Sequence, residues 1–381
     1  MSAQPKAASV PPEEPAVPAV VGTPAPEAVA PIPEKQPAAA AAPIETAPVA
    51  FASGYLEAAP LDDDYDNDSA IGDDVQSSTA SISSSILEYR AIKGRTYHSA
   101  RHPTDYFTPN DEQQQESVDL THHYLTILLD GKLFLAPLKE ETLENVLDIG
   151  TGTGIWAIDF ADAYPHVQVV GTDLSPMQPT WVPPNMRFEV DDASLEWTWS
   201  NDTFDFVHIR YLFGAISDWN ALFGQAFRAT KPGGWVQSGE VDVEWVSDDG
   251  TVEANEAIQT WNRLYRESGK KIGYSFTLVA DDVQRKGLEE AGFTDIKVET
   301  FKVPTGGWPL DRKLAEIGNI VQATIENDIE GYTLMLWHNV LNWPAEDYQM
   351  FLMEMRKALR NKRIHGYIVQ RYVYGRKPET A

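Results

Sequence analysis

Three alternate glycines and one later aspartate form the part of the sequence best suited to binding a ligand. Gly150, Gly152 and Gly154 follow a short apolar run in VLDIGTGTG, and Asp173 closes the apolar run of VVGTD. Glycine lets the backbone approach a ligand closely and leaves amide N–H groups free at the start of a helix. A carboxylate at the tip of the next strand can accept hydrogen bonds from two ribose hydroxyls. The spacing therefore predicts a nucleoside site.

The segments around this turn predict the elements that would position it. Val146–Ile149 has the composition of a short, buried parallel strand that is ended by glycine. Ile155–Tyr164 predicts the helix that follows, and Val167–Thr172 predicts the next strand. Together they form a β-turn-α-β unit whose turn contains the glycines.

The residue types in the turn distinguish between two classes of nucleoside. Dinucleotide dehydrogenases use the spacing G-x-G-x-x-G to hold a pyrophosphate, whereas this chain has G-T-G-T-G, preceded by an aspartate. A carboxylate there would repel a pyrophosphate but suits a cationic ligand such as S-adenosylmethionine, which carries a sulfonium and an ammonium. The LDIGTGTG stretch resembles motif I of the class I S-adenosylmethionine-dependent methyltransferases. The predicted cofactor is S-adenosylmethionine, and its predicted ligands here are Asp148, Gly150, Thr151, Gly152, Gly154, Asp173 and Leu174.

Three downstream stretches continue the same order of strands. MRFEVDDAS (186–194) predicts a third strand ending in Asp191 and Asp192, where the methyltransferase family places a side chain near the adenine amino group. Either aspartate fits, since a one-residue slip reverses which side chain points inward. FDFVHIRYLFGAISDW (204–219) predicts a fourth strand that runs into an active-site loop, and ATKPGGWVQSGEVD (229–242) predicts a turn and a fifth strand.

The order of these segments predicts an α/β fold. It is a Rossmann-like class I methyltransferase sheet, mostly parallel with an antiparallel last strand, with helices on both faces and helical lid insertions. The alternating segment Tyr367–Tyr374 is the predicted last strand. We expect the catalytic domain over 141–378, a helical insertion at about 305–363, and lid helices over 86–140.

The first part of the chain has a different composition. Residues 1–60 hold 13 of the 26 prolines, and a dense acidic run follows at Asp62–Asp74. Such a segment cannot bury enough apolar surface to offset its ordering entropy. Residues 1–85 are therefore predicted to be a disordered tail.

Composition argues against several function classes. The chain has no cysteine, which excludes disulfides, cysteine-ligated zinc and thiol catalysis. Its net charge of −27 argues against binding nucleic acid through phosphate neutralisation. No secretory signal and no apolar window long enough to span a membrane are evident. We expect a protein of the nucleus, the cytoplasm or both.

Several longer stretches resemble the LaeA-like methyltransferases of fungi. They are GRTYHSARHPTDYFTPNDEQQQESVDLTHHYLTILLDGKLFLAP (94–137), VDVEWVSDDGT (241–251), GGWPLDRKLAEIG (306–318) and HGYIVQRYVYGRKP (365–378). The resemblance covers about 87–378. It implies a regulator of secondary metabolism and development that acts with velvet-type partners. Some members of the family instead resemble tailoring enzymes of metabolite pathways.

The resemblance also suggests which residues before the catalytic domain reach the site. Tyr97 and His98 are expected to cover the methionine end of the cofactor. His122 and His123 lie in VDLTHHYLTILL, a predicted helix. Adjacent helical side chains point about 100° apart, so at most one can face the pocket, and we predict His123. No third ligand at suitable spacing joins them, so no metal site is predicted.

Methyl transfer from a sulfonium is an in-line displacement, so positioning can supply much of the catalysis. A base is needed only when the acceptor arrives protonated. His208 and Glu240, near the ends of the fourth and fifth strands, are the predicted candidates for that base. Arg210 and Tyr211 are predicted to lie in the substrate pocket.

Three functions of different class fit these observations. The first is a methyltransferase that acts as a LaeA-like regulator. The second is a small-molecule O- or N-methyltransferase, which a deep apolar acceptor pocket would favour. The third is a non-catalytic cofactor-binding scaffold for velvet-type partners. The intact glycine turn and Asp173 argue against a scaffold that has lost its cofactor.

Overall fold

The computed structural model describes residue 56, residues 89–99, residue 104 and residues 106–380. The tail predicted over 1–85 lies outside these residues, apart from Leu56. The strands are β1 (Arg90–Ile92), β2 (Arg95–Tyr97), β3 (Asn145–Ile149), β4 (Gln168–Asp173), β5 (Met186–Val190), β6 (Phe204–Arg210), β7 (Thr230–Val246), β8 (Thr294–Pro304) and β9 (Tyr367–Arg376). The helices are α1 (Glu112–Leu128), α2 (Ile155–Ala163), α3 (Trp219–Ala229), α4 (Glu256–Ile272), α5 (Val283–Ala291), α6 (Arg312–Asn327), α7 (Ile329–Leu334) and α8 (Ala345–Arg360). None of the described helices has both the length and the apolar character needed to cross a bilayer.

A seven-stranded sheet in the order β5-β4-β3-β6-β7-β9-β8 positions the site. Five neighbouring strands run parallel to one another, namely β5, β4, β3, β6 and β7. Strand β9 runs antiparallel to both β7 and β8. The predicted Rossmann-like sheet with an antiparallel last strand is thereby confirmed. Ile149 at the end of β3 is level with Thr172 on β4 and Ile209 on β6. The glycine turn, Asp173 and the loop after β6 therefore emerge at one edge of the sheet.

Apolar side chains cover both faces of this sheet. On one face, Trp156 and Phe160 of α2 pack with Phe206 of β6. On the other face, residues of β6 such as Val207 belong to a larger core that includes Leu222 of α3. Because side chains alternate along a strand, successive residues of β6 belong to opposite faces. This alternation decides which residues of β6 can reach the site.

The segment 86–140 differs from the predicted run of lid helices. β1 and β2 pair as an antiparallel hairpin, and their turn residues Lys93 and Gly94 have φ angles of 49° and 85°. Two consecutive positive φ angles match the tight turns whose twist suits a hairpin. The long helix α1 follows and packs on α6, where Ser117 Oγ donates a hydrogen bond to the carbonyl oxygen of Thr324 at 3.2 Å.

The helices between β8 and β9 fall where the sequence predicts a helical insertion. They are α6, α7 and α8, and a π-helical turn over Met335–Val340 connects the last two. Together with α1, α6 and α7 lie over the carboxyl edge of the sheet. The described structure thus encloses that edge with helices from two distant parts of the chain.

One guanidinium group connects these two parts. Arg95 of the hairpin donates to both carboxylate oxygens of Asp111, at 2.6 and 2.7 Å, and to both of Asp328, at 2.6 and 2.7 Å. Asp111 caps the start of α1, and Asp328 caps the start of α7. Burial raises the pKa of Asp111, but Arg95 outweighs this effect and the net pKa is lowered. Arg95 therefore holds the ends of two lid helices together.

We expect Arg95→Ala to lower the free energy of unfolding by about 3–5 kcal/mol, because it leaves the Asp328 carboxylate buried without its charge partner. The side chain of Asp328 is 0% exposed. The matched control is Arg187→Ala, which breaks a pair with Glu189 whose side chains are 59% and 36% exposed. That loss should stay below about 1 kcal/mol in urea titrations. Equal losses in the two variants would contradict the assigned role of Arg95.

Candidate active site

A cavity lies at the carboxyl edge of the sheet, beneath α1 and α6. Its volume is about 240 Å³. The predicted residues that line it are His98, Gly150, Thr151, Gly152, Asp173, Leu174, Asp191, Asp192, Arg210 and Tyr211. The predicted residues outside its lining are Tyr97, His123, Asp148, Gly154, His208 and Glu240.

The glycine turn has the backbone conformation that glycine favours. Gly150, Gly152 and Gly154 have φ angles of 68°, 59° and 83°. Thr151 donates its hydroxyl to the Oδ2 atom of Asp148 at 2.6 Å, and Asp148 is 3% exposed. Asp148 therefore stabilises the turn through Thr151 and does not line the cavity, which differs from the prediction that it contacts the cofactor. Gly154 instead caps the start of α2.

Asp173 presents its carboxylate at the end of β4. Its Oδ2 atom accepts a hydrogen bond from the N–H of Gly152 at 2.8 Å, and its Oδ1 atom accepts one from Ser175 at 3.0 Å. Burial raises the pKa of Asp173 to about 6, against the opposing effect of these two donors. Each carboxylate oxygen retains a second acceptor position. The group can therefore accept hydrogen bonds from two neighbouring hydroxyls.

Of the two aspartates after β5, Asp192 has the unused acceptor. It is 2% exposed, and its Oδ1 atom accepts from the hydroxyl of Thr104 and the N–H of Ser194, both at 2.9 Å. Its Oδ2 atom is buried without a hydrogen-bond partner among the described residues. Asp191 instead accepts the N–H of Asp192 at 2.9 Å. An unpaired buried acceptor costs about 1–3 kcal/mol, so Asp192 suits a ligand that brings an amino donor.

The part of the chain with this geometry matches known proteins. Residues 120–298 match the family described as methyltransferase domain. The methyltransferase pytC of Aspergillus terreus is 37% identical over 306 residues, which cover 80% of this chain and 93% of pytC. The protein-methionine methyltransferase laeA of Emericella nidulans is 30% identical, with 76% of this chain and 77% of laeA covered. The chain is a LaeA-like class I methyltransferase.

One solved structure that is similar to this chain is phosphoethanolamine N-methyltransferase 2 of Haemonchus contortus, in complex with S-adenosyl-L-methionine. It is 21% identical, with 68% of this chain and 52% of that chain covered and a TM-score of 0.40. The fold of this methyltransferase follows from its own strand order.

The residues at the cavity fit S-adenosylmethionine, the methyl donor of this family. Asp192, with one oxygen unpaired among the described residues, would accept from the adenine amino group, and Asp173 at the end of the next strand would accept from the ribose. A Cβ atom at Gly150 would overlap the side chain of Leu212, so only glycine keeps this edge of the cavity open. The cofactor supplies a methyl group on a sulfonium. The chain's own residues hold the nucleoside and exclude water.

Gln114 is a cavity residue that the sequence reasoning missed. It is 6% exposed, and its Oε1 atom is buried without a hydrogen-bond partner in the described structure. Gln114, Val118 and Thr121 of α1 all line the cavity. Their spacing of four and then three residues is that of one helix face, which is the signal that could have identified Gln114.

Of the two residues expected over the methionine end, only His98 lines the cavity. Its Nε2 atom accepts the N–H of Tyr106 at 2.9 Å, which fixes the segment that enters the lid. Tyr97 is 0% exposed and belongs to the core. The alternation of side chains along β2 sends these neighbours to different environments.

Neither of the paired histidines lines the cavity, so the prediction that His123 faces the pocket is wrong. His123 is exposed and lies outside the cavity lining, whereas His122 is 4% exposed. His122 contacts the Oδ2 atom of Asp159 through Nε2 at 2.9 Å and Nη2 of Arg210 through Nδ1 at 3.1 Å. No cluster of three or more His, Asp or Glu side chains suited to a metal occurs among the described residues.

The two predicted general bases do not reach the cavity. His208 is 1% exposed, stacks on Trp156 with ring centroids 3.7 Å apart, and contacts Oδ1 of Asp148 at 2.7 Å. Alternation along β6 turns it toward α2, and burial lowers its pKa. Glu240 accepts the N–H groups of Leu212 and Phe213, both at 3.1 Å, and burial raises its pKa to about 8. Both side chains therefore support the site from behind.

Arg210 and Tyr211 do line the cavity, at the end of β6. Tyr211 has a φ angle of 56°, and its hydroxyl lies 2.5 Å from that of Tyr124 and 2.9 Å from Oε1 of Gln370. A non-glycine residue in this left-handed conformation stores strain and is typical of functional sites. The bonds of Glu240 to the next two residues hold the loop in this form.

Beyond Tyr211 the cavity becomes an apolar chamber. We use the name acceptor chamber for the lining formed by Val241, Val243, Trp245, Trp261, Tyr265, Val321, Ile325, Tyr332 and Ile368. Trp261 packs on Trp245 and Tyr265, with ring centroids 6.3 and 5.1 Å apart. The hydroxyl of Tyr265 donates to the backbone oxygen of Tyr332 at 2.9 Å. The surface of the chamber thus consists mainly of aromatic rings and aliphatic groups.

Gly154→Ala should destabilise the fold by more than Gly273→Ala, and it should weaken nucleoside binding because it displaces the turn whose Gly150 and Gly152 line the cavity. Both glycines have positive φ, 83° and 77°. A Cβ at position 154 would overlap the Phe188 ring, whereas at position 273 it meets nothing within 4 Å. The left-handed conformation alone costs about 1–2 kcal/mol. Urea unfolding and S-adenosylhomocysteine titration of both variants check this, and equal effects would refute the steric role of Gly154.

Proposed function

We propose that this methyltransferase regulates secondary metabolism by methylating an uncharged acceptor, first of all a methionine side chain of a protein. The observation that carries the proposal is the acceptor chamber beside the cofactor site. The nine residues that define it come from β7, α4, α6, α7 and β9, and all are aliphatic or aromatic. The carboxylates, the imidazole and the guanidinium in the lining of the same cavity belong to other segments: His98, Asp173, Asp191, Asp192 and Arg210. An ionised acceptor would lose its hydration there without a charge partner.

The chamber also favours an acceptor that has no proton to lose. Burial raises the pKa of Tyr124 to about 12, so its hydroxyl stays protonated near neutral pH. The predicted bases His208 and Glu240 lie outside the lining. A nucleophile that needed deprotonation would therefore find no base among the nine residues that define the chamber.

A thioether meets both conditions. Its sulfur lone pair forms the new S–CH₃ bond while the bond from the methyl group to the cofactor sulfur breaks. The cofactor becomes a neutral thioether, the acceptor becomes a sulfonium, and no proton is released. The similarity to the protein-methionine methyltransferase laeA supports this acceptor.

A small neutral metabolite is the second candidate acceptor. The enclosed aromatic chamber supports it, because such sites are typical of small-molecule ligands. The similarity to the methyltransferase pytC is compatible with either candidate.

The proposal places the protein in the nucleus, the cytoplasm or both, with velvet-type regulatory proteins as partners. Its support is the resemblance to LaeA-like regulators. Affinity purification of the tagged chain from nuclear and cytosolic fractions tests both points. Recovery from neither fraction, or without any velvet-type protein, would remove this part of the proposal.

The acceptor is tested by incubating the full chain with methyl-labelled S-adenosylmethionine, alone and with protein or metabolite fractions of fungal extract. Label on a methionine, of this chain or of another protein, supports the first candidate. Label only in the metabolite fraction supports the second. Asp173→Ala is the control and should remove all label. Label that persists in this variant would contradict enzymatic transfer from this site.

Cofactor affinity should fall as the pH drops through about 6, the pKa of Asp173. The charged carboxylate is the better acceptor for ribose hydroxyls, and a raised pKa means that it is lost early on acidification. Below this pH the loss should approach about tenfold per unit. Calorimetry with S-adenosylhomocysteine between pH 5 and 8 measures this, and Asp173→Asn should bind weakly with a flat profile. An unchanged slope in Asp173→Asn would assign the titration to another group.

A further inference from the structure

We infer that Arg210 binds the carboxylate of the amino-acid part of S-adenosylmethionine, and that His122 and Asp159 position Arg210 for this contact. The inference deepens the proposed function and rests on its cofactor. It assigns Arg210 to the cofactor rather than to the acceptor, and it gives His122 a role that the sequence did not reveal.

The order of strands at the sheet edge sets where each part of the cofactor lies. Asp192 follows β5, Asp173 ends β4, the glycine turn follows β3, and Arg210 ends β6. These four strands are consecutive neighbours in the sheet. Neighbouring strands lie about 4.8 Å apart, so the edge spans roughly 14 Å from β5 to β6. With adenine at Asp192 and ribose at Asp173, the amino-acid part extends toward the glycine turn and Arg210.

The register of the sheet brings Arg210 to the turn itself. Ile149 pairs with Ile209, so Gly150 and Arg210 are the next residues on the two adjacent strands. Both line the cavity, and Arg210 is the only lysine or arginine among its described lining residues. A guanidinium at this position can bind a carboxylate through two parallel hydrogen bonds.

Arg210 has no ion pair with a carboxylate in the described part of the chain. The guanidinium instead contacts a neutral ring, because Nη2 lies 3.1 Å from Nδ1 of His122. Burial lowers the pKa of His122, so Nδ1 accepts from Arg210 while Nε2–H donates to Asp159. This arrangement orients the guanidinium and leaves its charge for a ligand.

The test compares two ligands that differ only at the amino-acid end. S-adenosylhomocysteine carries the amino and carboxylate groups, whereas 5′-methylthioadenosine keeps the adenosine and the thioether without them. Calorimetry of the full chain should give tighter binding of S-adenosylhomocysteine. Arg210→Gln should weaken that binding on the order of 10- to 100-fold and leave methylthioadenosine binding nearly unchanged. Arg210→Lys keeps the positive charge but lacks the planar guanidinium, so its affinity for S-adenosylhomocysteine should lie between those of the wild type and Arg210→Gln.

The adjacent histidines supply a matched pair for the positioning role. His122→Asn should weaken S-adenosylhomocysteine binding selectively, by less than Arg210→Gln does, while the exposed His123→Asn should change neither ligand. Retained methylthioadenosine binding shows that each variant is folded.

Equal losses for both ligands in Arg210→Gln, or no loss for either, would overturn the inference. Wild type that binds both ligands equally would also overturn it while leaving the cofactor assignment intact. Wild type that binds neither would overturn the proposed function as well.

Discussion

The structure of the site depends on one constraint: a carboxylate buried on a strand of the sheet must be given hydrogen-bond donors. Asp173, Glu240 and Asp242 each meet it in the same way, by accepting two backbone N–H groups of nearby loops. Burial raises their pKa values to about 6, 8 and 6. Because donors and acceptors are matched one to one, each carboxylate fixes the path of the loop that satisfies it. The cavity walls inherit their shape from these bonds.

This constraint explains why acidic residues around the site have different roles. Asp148 and Glu240 have both carboxylate oxygens engaged by the protein, and neither lines the cavity. One carboxylate oxygen of Asp192 has no hydrogen-bond partner among the described residues. A ligand that donated a hydrogen bond to it would offset the free-energy cost of burying this oxygen. Access to the cavity therefore separates Asp148 and Glu240, which shape the site from outside its lining, from Asp173 and Asp192, which line it.

The parts of the site that the sequence predicts are those encoded locally. The glycine turn, Asp173 and the order of parallel strands follow from short patterns, because a strand, a turn and a helix in succession leave few arrangements. The prediction that His208 and Glu240 reach the cavity is wrong, because a position near a strand end does not determine which face of the sheet a side chain takes. His123 was wrong for the same kind of reason, as the phase of a helix depends on what it packs against.

Other features depend on contacts far apart in the sequence. Arg95 joins Asp111 to Asp328, and Asp328 lies 233 residues after Arg95 in the chain. Arg and Asp are ordinary surface residues by composition, so nothing in either segment indicates a buried pair. The unpaired oxygen of Gln114 cannot be predicted from the sequence either, because only the assembled cavity shows that no group of the described residues reaches it.

The charges along the cavity suit a reaction that moves a positive charge. Carboxylates lie at the nucleoside end, Arg210 lies beside the glycine turn, and the acceptor chamber is apolar. In the transition state for transfer to a neutral acceptor, the sulfonium charge spreads over both the donor and the acceptor atoms. An apolar, aromatic surrounding disfavours a concentrated charge more than a dispersed one, and ring faces attract a cation. For the proposed neutral acceptor, the chamber would therefore favour the transition state over the bound reactants without a base, and the protein would contribute by positioning and by excluding water.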